Sequence, residues 1–232
     1  MIKEAIILAG GLGTRLRSAV PDLPKCMAPV AGRPFLHYVI EYYKKQGITK
    51  FIFCLGYKHE LIEDYLSQSF IDVQYTVTIE EDPLGTGGAI YQGALKAVSS
   101  DIIVLNGDTF FEVDVAGLSF FHKSKKADCT VCLKEMKNSD RYGVVEINDE
   151  GRITSFKEKN FYERSTINGG VYALNTRSFL AEKLPEKFSF EKDYFEKYFR
   201  EKKIYGFKQD GYFIDIGIPV DYNKAQEDFK NF

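Results

Sequence analysis

The sequence predicts an α/β fold: a mixed, mainly parallel sheet flanked by helices, with a small antiparallel portion in the second half. Three observations carry this. Short apolar runs alternate with amphipathic stretches over about the first 110 residues. Those apolar runs are unbroken by polar residues, as in strands covered on both faces. Further along, strand-like segments follow one another with polar segments and turn signals between them.

Each element has its own signal. "EAIILAG" is an apolar run ended by glycine, a strand. "GRPFLHYVIEYYKKQG" reads as a helix, with Pro34 near its start, Gly47 at its end and lysines in its last turn. Phe35, Val39, Tyr42 and Tyr43 make its apolar stripe. "KFIFCLG" is the next strand. "KHELIEDYLSQ" is a helix with Leu61, Ile62, Tyr65 and Leu66 on one side. "VQYTVTI" is a strand, and "GGAIYQGALKAV" a helix with Ala89, Ile90, Gly93, Ala94 and Ala97 at helical spacing. "DIIVLNGD" is a strand running into a turn. "CTVCLKEM", "YGVVEIN" and "RITSFKEK" are strands, the last two joined by the hairpin signal "NDEGR". "GGVYALN" is another strand. Helical stretches follow around Arg177–Lys183 and Phe190–Lys202, and "GYFIDIGIPVDYNKAQEDF" gives a strand, a turn and a helix opened by Pro219. No repeat or linker interrupts the chain. One unit over 1–232 is expected, with parts at about 1–125 and about 126–232.

Composition bounds the function. The chain has 232 residues, 44% of them apolar, enough for a sizeable core. A net charge of -2 gives no global basic field for nucleic acid. No apolar run approaches the ~20 residues needed to cross a bilayer. The N-terminus carries Glu4, runs into glycine and does not read as a signal peptide. A cytoplasmic address with reduced thiols is expected. "CTVC" has redox or zinc spacing, but it reads as a strand in which Cys129 and Cys132 point to opposite faces. His37, His59 and His122 are scattered.

"LAGGLGTRL" follows the first strand. It starts like the dinucleotide fingerprint GxGxxG, but Leu16 stands at the third glycine and the acidic ribose partner is missing. The Gly-Lys-Ser/Thr ending of a P-loop is absent as well. A third reading is a backbone cradle of Gly10, Gly11 and Gly13 with Arg15 and Lys25 as cations for a triphosphate. A fourth is a tight turn with a solvated arginine.

With these residues in view, the chain resembles the sugar-1-phosphate nucleotidylyltransferases. Their GGxGTRL…PK signature stands at Gly10–Leu16 and Pro24-Lys25. "EDPLGTGGA" (81–89), "NGD" (106–108), "YGVV" (142–145), "KEK" (157–159), "NGGVY" (168–172) and "FIDIGIP" (213–219) follow in order. The resemblance implies a Rossmann-like fold whose antiparallel portion binds the sugar. It also implies one reaction: a sugar 1-phosphate oxygen attacks the α-phosphorus of a nucleoside triphosphate, and pyrophosphate leaves. Arg15, Lys25 and Asp108 would be catalytic. Leu8, Ala9, Gly10, Gly11, Gly13, Thr14, Asn106 and Gly107 would line the nucleotide beside them. Lys25 would offset charge on the leaving pyrophosphate. Asp108 and Asp215 match the family's magnesium ligands, so Mg2+ is the implied cofactor.

For the base, Glu81, Gly85, Thr86, Gly87 and Gly88 resemble the segment of guanylyltransferases, which favours GTP. An acceptor near Glu81 would suit guanine's donors, and the glycines would let backbone approach a flat base. Gly143, Glu158, Lys159, Asn168, Gly169 and Asp215 match the sugar-phosphate side. The phrasing is most similar to compact bacterial members that act on a heptose 1-phosphate. Mannose 1-phosphate with GTP, and N-acetylmuramate 1-phosphate with UTP, are the alternatives within the family. Tyr212 stands where many relatives carry tryptophan. A glycosyltransferase would need Asp-x-Asp, whereas Asp108 is followed by Thr109 and Phe110. A non-catalytic sensor should have lost Lys25 or the aspartates, and all are present. The sequence leaves homo-oligomerisation open.

Overall fold

A computed structural model describes residues 1–232 apart from 12, 14, 15, 17, 18, 140, 158 and 159. Strand β1 (Glu4–Leu8) leads through a small hairpin, β2 (Pro29–Val30) and β3 (Arg33–Pro34), to helix α1 (Phe35–Lys45). Next come β4 (Lys50–Leu55), α2 (His59–Ser69), β5 (Gln74–Ile79), α3 (Gly85–Lys96) and β6 (Asp101–Asn106). Then follow β7 (Thr109–Phe111), α4 (Val115–Ser124), β8 (Cys129–Ser139), β9 (Val144–Ile147), β10 (Ile153–Lys157) and β11 (Tyr162–Asn175). The chain closes with α5 (Thr176–Leu180), a π-helical segment Phe190–Glu196, β12 (Ile204–Gln209), β13 (Phe213–Asp215) and α6 (Pro219–Asp228).

One nine-stranded sheet runs through both halves. Its path is β10-β9-β11-β6-β1-β4-β5, with β8 pairing β11 and β12. β1 pairs in parallel with β4 and with β6, and β4 with β5. β11 joins β6 antiparallel through Val171–Asn175 and runs beside β8 for most of its length. The expected mixed, mainly parallel sheet flanked by helices is what forms.

Adjacent residues of a strand face opposite sides, and the core divides accordingly. Ile7, Phe51 and Phe53 pack with α1, α2, α4 and α6. Ile6, Ile52 and Cys54 pack with α3, α5 and the π-helical segment. Cys129 falls in the second layer and Cys132 in the first, on opposite faces as their spacing requires. Gly47 takes φ +89° just past α1, and Pro219 opens α6.

Besides the short strands β2, β3 and β7, four features depart from the expectations. α4 forms where none was expected, its start fixed by the Asp114 carboxylate accepting from the Gly117 N–H. β12 adds a strand in parallel beside β8. β8 and β11 extend into polar sequence, because each satisfies the other's backbone along a long ladder. Leu61 is 39% exposed and lies off the buried stripe of α2, which consists of Ile62 and Leu66.

Candidate active site

A pocket of about 520 Å³ opens at the carboxyl ends of β1 and β6, with the start of α3 as its opposite wall. β1 has β6 on one side and β4 on the other, so strand order reverses here, the place where open α/β sheets bind ligands. Leu8, Ala9, Gly10 and Gly11 run off β1 and line it. Asn106 and Asp108 line it from the end of β6. The Ala9 N–H donates to Cys54 O at 2.8 Å and the Gly107 N–H to Leu8 O at 2.9 Å, so the two loops leave the sheet side by side. Gly107 itself packs against β1 and does not line the pocket. Gly13 turns the loop back at φ +59°, and a Cβ there would sit 2.9 Å from Lys25 Cβ. Thr14 and Arg15 lie outside the described residues.

A small ladder assembles the acidic pair. β7 begins directly after Asp108 and runs antiparallel to β13, which places Thr109 opposite Asp215. The Ile216 N–H donates to Asp108 O at 3.1 Å, tying the two segments at that end. Between the carboxylates stands the Lys25 ammonium, 2.5 Å from Asp108 Oδ2 and 3.2 Å from Asp215 Oδ1. Lys25 is only 10% exposed, and a cation so enclosed requires such partners. Asp215 Oδ1 also accepts from the Gly217 N–H at 2.7 Å. Two carboxylates that already share one cation, at the edge of a pocket sized for phosphates, suit Mg2+, which takes one or two carboxylates with phosphate oxygens and water. Among the described residues, Lys25 is the cation lining the pocket. Cys26 also lines it, its thiol pushed up to about 12 by burial and by the Asp108 charge, and so it is neutral.

Of the residues expected to meet the base, Glu81 is placed differently by the structure. Glu80 lines the pocket, and Glu81 faces a neighbouring depression with Tyr57 and His59. Strand parity explains this: Thr78 is buried and Ile79 exposed, so Glu80 turns inward with Thr78. Glu80 Oε2 accepts from the Leu84 N–H at 2.8 Å, and a Cβ on Gly10 would lie 3.1 Å from Oε1. Burial raises its pKa above the usual carboxylate range, against the opposing effect of the Leu84 N–H.

The glycines of α3 serve mainly to seat the helix. Gly85 has φ +74°, and a Cβ would meet Phe188 O at 2.6 Å. A Cβ on Gly87 would lie 2.1 Å from the Phe188 ring, and one on Gly88 2.4 Å from Glu186 O. Gly85 and Thr86 line the pocket, whereas Gly87 and Gly88 turn toward residues 186–188. The Gly87 N–H donates to Phe188 O and the Phe188 N–H to Leu84 O, both at 3.0 Å. The Thr86 hydroxyl donates to Glu191 Oε2 at 2.9 Å and accepts from the Phe190 N–H at 2.9 Å.

That seat reaches Asn168, one of the residues expected on the sugar-phosphate side. Tyr172 OH donates to Glu191 Oε1 at 3.3 Å and accepts from Asn168 Nδ2 at 3.0 Å. Asn168 Oδ1 accepts from the Gly170 N–H at 2.9 Å. Asn168 and Gly169 stand where the β11–β8 register shifts, a bulge of the kind found beside active sites. Gly143 lies in the turn before β9, and a Cβ there would sit 3.3 Å from Lys157 O. Glu158 and Lys159 lie outside the described residues. Glu191 gave no local motif to find it by, because its partners come from α3 and β11.

The nucleotidyl transferase family model matches residues 4–231, and the chain belongs to that family. It is 51% identical over 229 residues to the D-glycero-alpha-D-manno-heptose 1-phosphate guanylyltransferase of Aneurinibacillus thermoaerophilus, covering 99% of each chain. The enzyme of the same name from Campylobacter jejuni is 44% identical over 94% of this chain and 96% of its own. The crystal structure of HddC from Yersinia pseudotuberculosis superposes with a TM-score of 0.89 at 38% identity, covering 99% of this chain and all of that one. The same protein in complex with GMP-PN superposes with a TM-score of 0.88.

Proposed function

We propose that this chain transfers GMP from GTP to a heptose 1-phosphate of the D-glycero-D-manno series, releasing pyrophosphate and a GDP-sugar. The observation that carries this is the Lys25 ammonium held between Asp108 and Asp215 beside the glycine loop. It occurs in a chain half identical, end to end, to a heptose 1-phosphate guanylyltransferase.

Phosphoryl transfer requires positioning and charge neutralisation more than covalent help. The glycine loop lines the triphosphate, and Arg15 pairs with its charge. Asp108 and Asp215 would hold Mg2+. When bound, that ion supplies positive charge to the triphosphate. Lys25 spends two N–H donors on the aspartates, and the third is left for a phosphate oxygen. The acceptor's phosphate oxygen forms the new bond to the α-phosphorus as the α–β bridging bond breaks and the electron pair leaves on pyrophosphate. Glu158 and Lys159 engage the sugar phosphate.

Glu80 reads the base. With Oε2 held by the Leu84 N–H, Oε1 is set to accept from guanine N1–H and N2–H2. Adenine presents an acceptor at N1, which a carboxylate repels, and uracil and thymine offer only one donor at that edge.

Four nucleoside triphosphates offered together with a panel of hexose, heptose and amino-sugar 1-phosphates test the reading. GDP-heptose is the expected product. Preferential formation of a UDP- or dTDP-sugar, or of GDP-mannose, would replace it.

A further inference from the structure

One charge pair beside the site has no part in the steps above. Arg141, in the turn between β8 and β9, forms an ion pair from Nη1 to the Asp221 carboxylate. Asp221 lies in the first turn of α6, beyond Gly217. The Arg141 guanidinium carbon also lies 5.3 Å from the centre of the Tyr142 ring. The Tyr142 ring meets the Phe213 ring edge-on at 5.8 Å, and Phe213 meets Phe111 edge-on at 5.5 Å. Phe213 and Phe111 are paired residues of the β13–β7 ladder, the ladder that sets Asp108 beside Asp215.

These contacts join two chain segments that nothing local connects. One is the turn holding Arg141, Tyr142 and Gly143. The other is the run from Phe213 through Asp215 to Asp221. The Arg141 and Asp221 side chains are 34% and 20% exposed, so water screens the pair less than it would a surface pair. Asp221, in the first turn of α6, also suits the positive end of that helix. The charge of Asp215 reaches Arg141 too, and so the guanidinium stands on the acidic side of the site.

We propose that Arg141 and Asp221 form a clasp that positions the Tyr142–Gly143 turn over the Asp215 segment and so shapes the acceptor side of the site. Arg141 is a positioning residue, acting through the turn rather than on the reacting atoms. The clasp rests on the reading of this pocket as a sugar 1-phosphate nucleotidylyltransferase site. The nucleotide side stands mainly on other elements, β1, β6 and α3; its link to the clasp is Asp215, which the β7–β13 ladder holds by its own backbone pairing.

Steady-state kinetics of R141Q, D221N and the double variant R141Q/D221N test this, with thermal unfolding of each. The acceptor is whichever sugar 1-phosphate the unaltered chain uses. If that chain uses none, the function reading fails before the clasp is put to the test. Both single variants are expected to raise KM for the sugar 1-phosphate roughly tenfold, within the hundredfold that a 1 Å misplacement can cost. KM for the nucleotide is expected to stay within about twofold, and the double variant to raise the acceptor KM no more than either single, because one shared interaction is lost once. Three results overturn the clasp: unchanged acceptor KM in both singles, an equal rise in nucleotide KM, or a defect in R141Q without one in D221N. The last would make the arginine a direct substrate contact.

Discussion

The Lys25 ammonium stands 2.5 Å from Asp108 and reaches Asp215 at 3.2 Å. A residue after the glycine loop, one at the end of β6 and one in the C-terminal segment thus meet at one point. The antiparallel pairing of β7 with β13 brings the two aspartates together, and the buried lysine keeps them from repelling each other.

Removing one member of this trio separates catalysis from folding. Asp108→Asn keeps the shape, and Lys25 retains Asp215. Asp108 is 37% exposed, so the lost ion pair costs about 1 kcal/mol at most, a melting shift of about 4 °C or less. Pyrophosphate release is expected to fall on the order of a thousandfold, as when a group stabilising transition-state charge is lost. A calorimetric melt and a turnover assay on one preparation check both halves. Near-normal turnover would remove Asp108 from the site.

Glu80 should set both base preference and acid sensitivity. Glu80→Gln keeps one acceptor oxygen: turned toward guanine, it sets an amide N–H against the Leu84 N–H, and turned toward Leu84, it sets an amide N–H against guanine's donors. KM for GTP is expected to rise roughly tenfold, which is about 1.4 kcal/mol. Burial raises the Glu80 pKa, so the carboxylate is protonated at higher pH than an ordinary glutamate. GTP binding is expected to weaken as pH falls through that raised value and to hold above it, and Glu80→Gln should flatten this dependence. On stability the sign is opposite. The folded pKa lies above the unfolded one, so the ionised group is a cost at neutral pH that is relieved on acidification. Titrations of GTP binding against pH for both proteins are the measurement.

The seat of α3 predicts a structural loss with a kinetic echo. Thr86→Val leaves the Phe190 N–H without its acceptor and removes a donor from Glu191. The expected cost is about 1–3 kcal/mol. Gly87→Ala drives a methyl into the Phe188 ring, at a similar expected cost of about 1–3 kcal/mol. Both should lower the melting temperature by several degrees and raise KM for GTP, because Gly85 and Thr86 wall the pocket. Melting unchanged in both would mean that the 186–191 segment does not hold the helix.

Much of this was legible in the sequence, and what was not has physical causes. The parallel half announced itself because its strands are buried on both faces and its helices carry apolar stripes. The strand ends also placed Gly10, Asn106 and Asp108 near one another, since parallel strands finish on one side of a sheet. β12 and the extensions of β8 and β11 were not legible, because residues such as Lys134, Glu135 and Arg164 face water and are held by cross-strand pairing. The inward turn of Glu80 in place of Glu81 could have been found by counting parity from Thr78. Glu191 and the Arg141–Asp221 pair could not, because their partners lie far away in the chain. The α3 glycines show the limit of reading composition: "GTGG" resembles a base-binding segment, yet Gly87 and Gly88 serve helix packing.

The most direct measurement is pyrophosphate release by the purified chain with Mg2+, GTP and D-glycero-α-D-manno-heptose 1-phosphate, each supplied alone and together, with mass analysis of the product. The expected result is release only when both substrates are present, with GDP-heptose formed in equal amount. Release from GTP alone, or none with any pairing of nucleoside triphosphate and sugar 1-phosphate, would contradict the assignment of Lys25, Asp108 and Asp215 to nucleotidyl transfer.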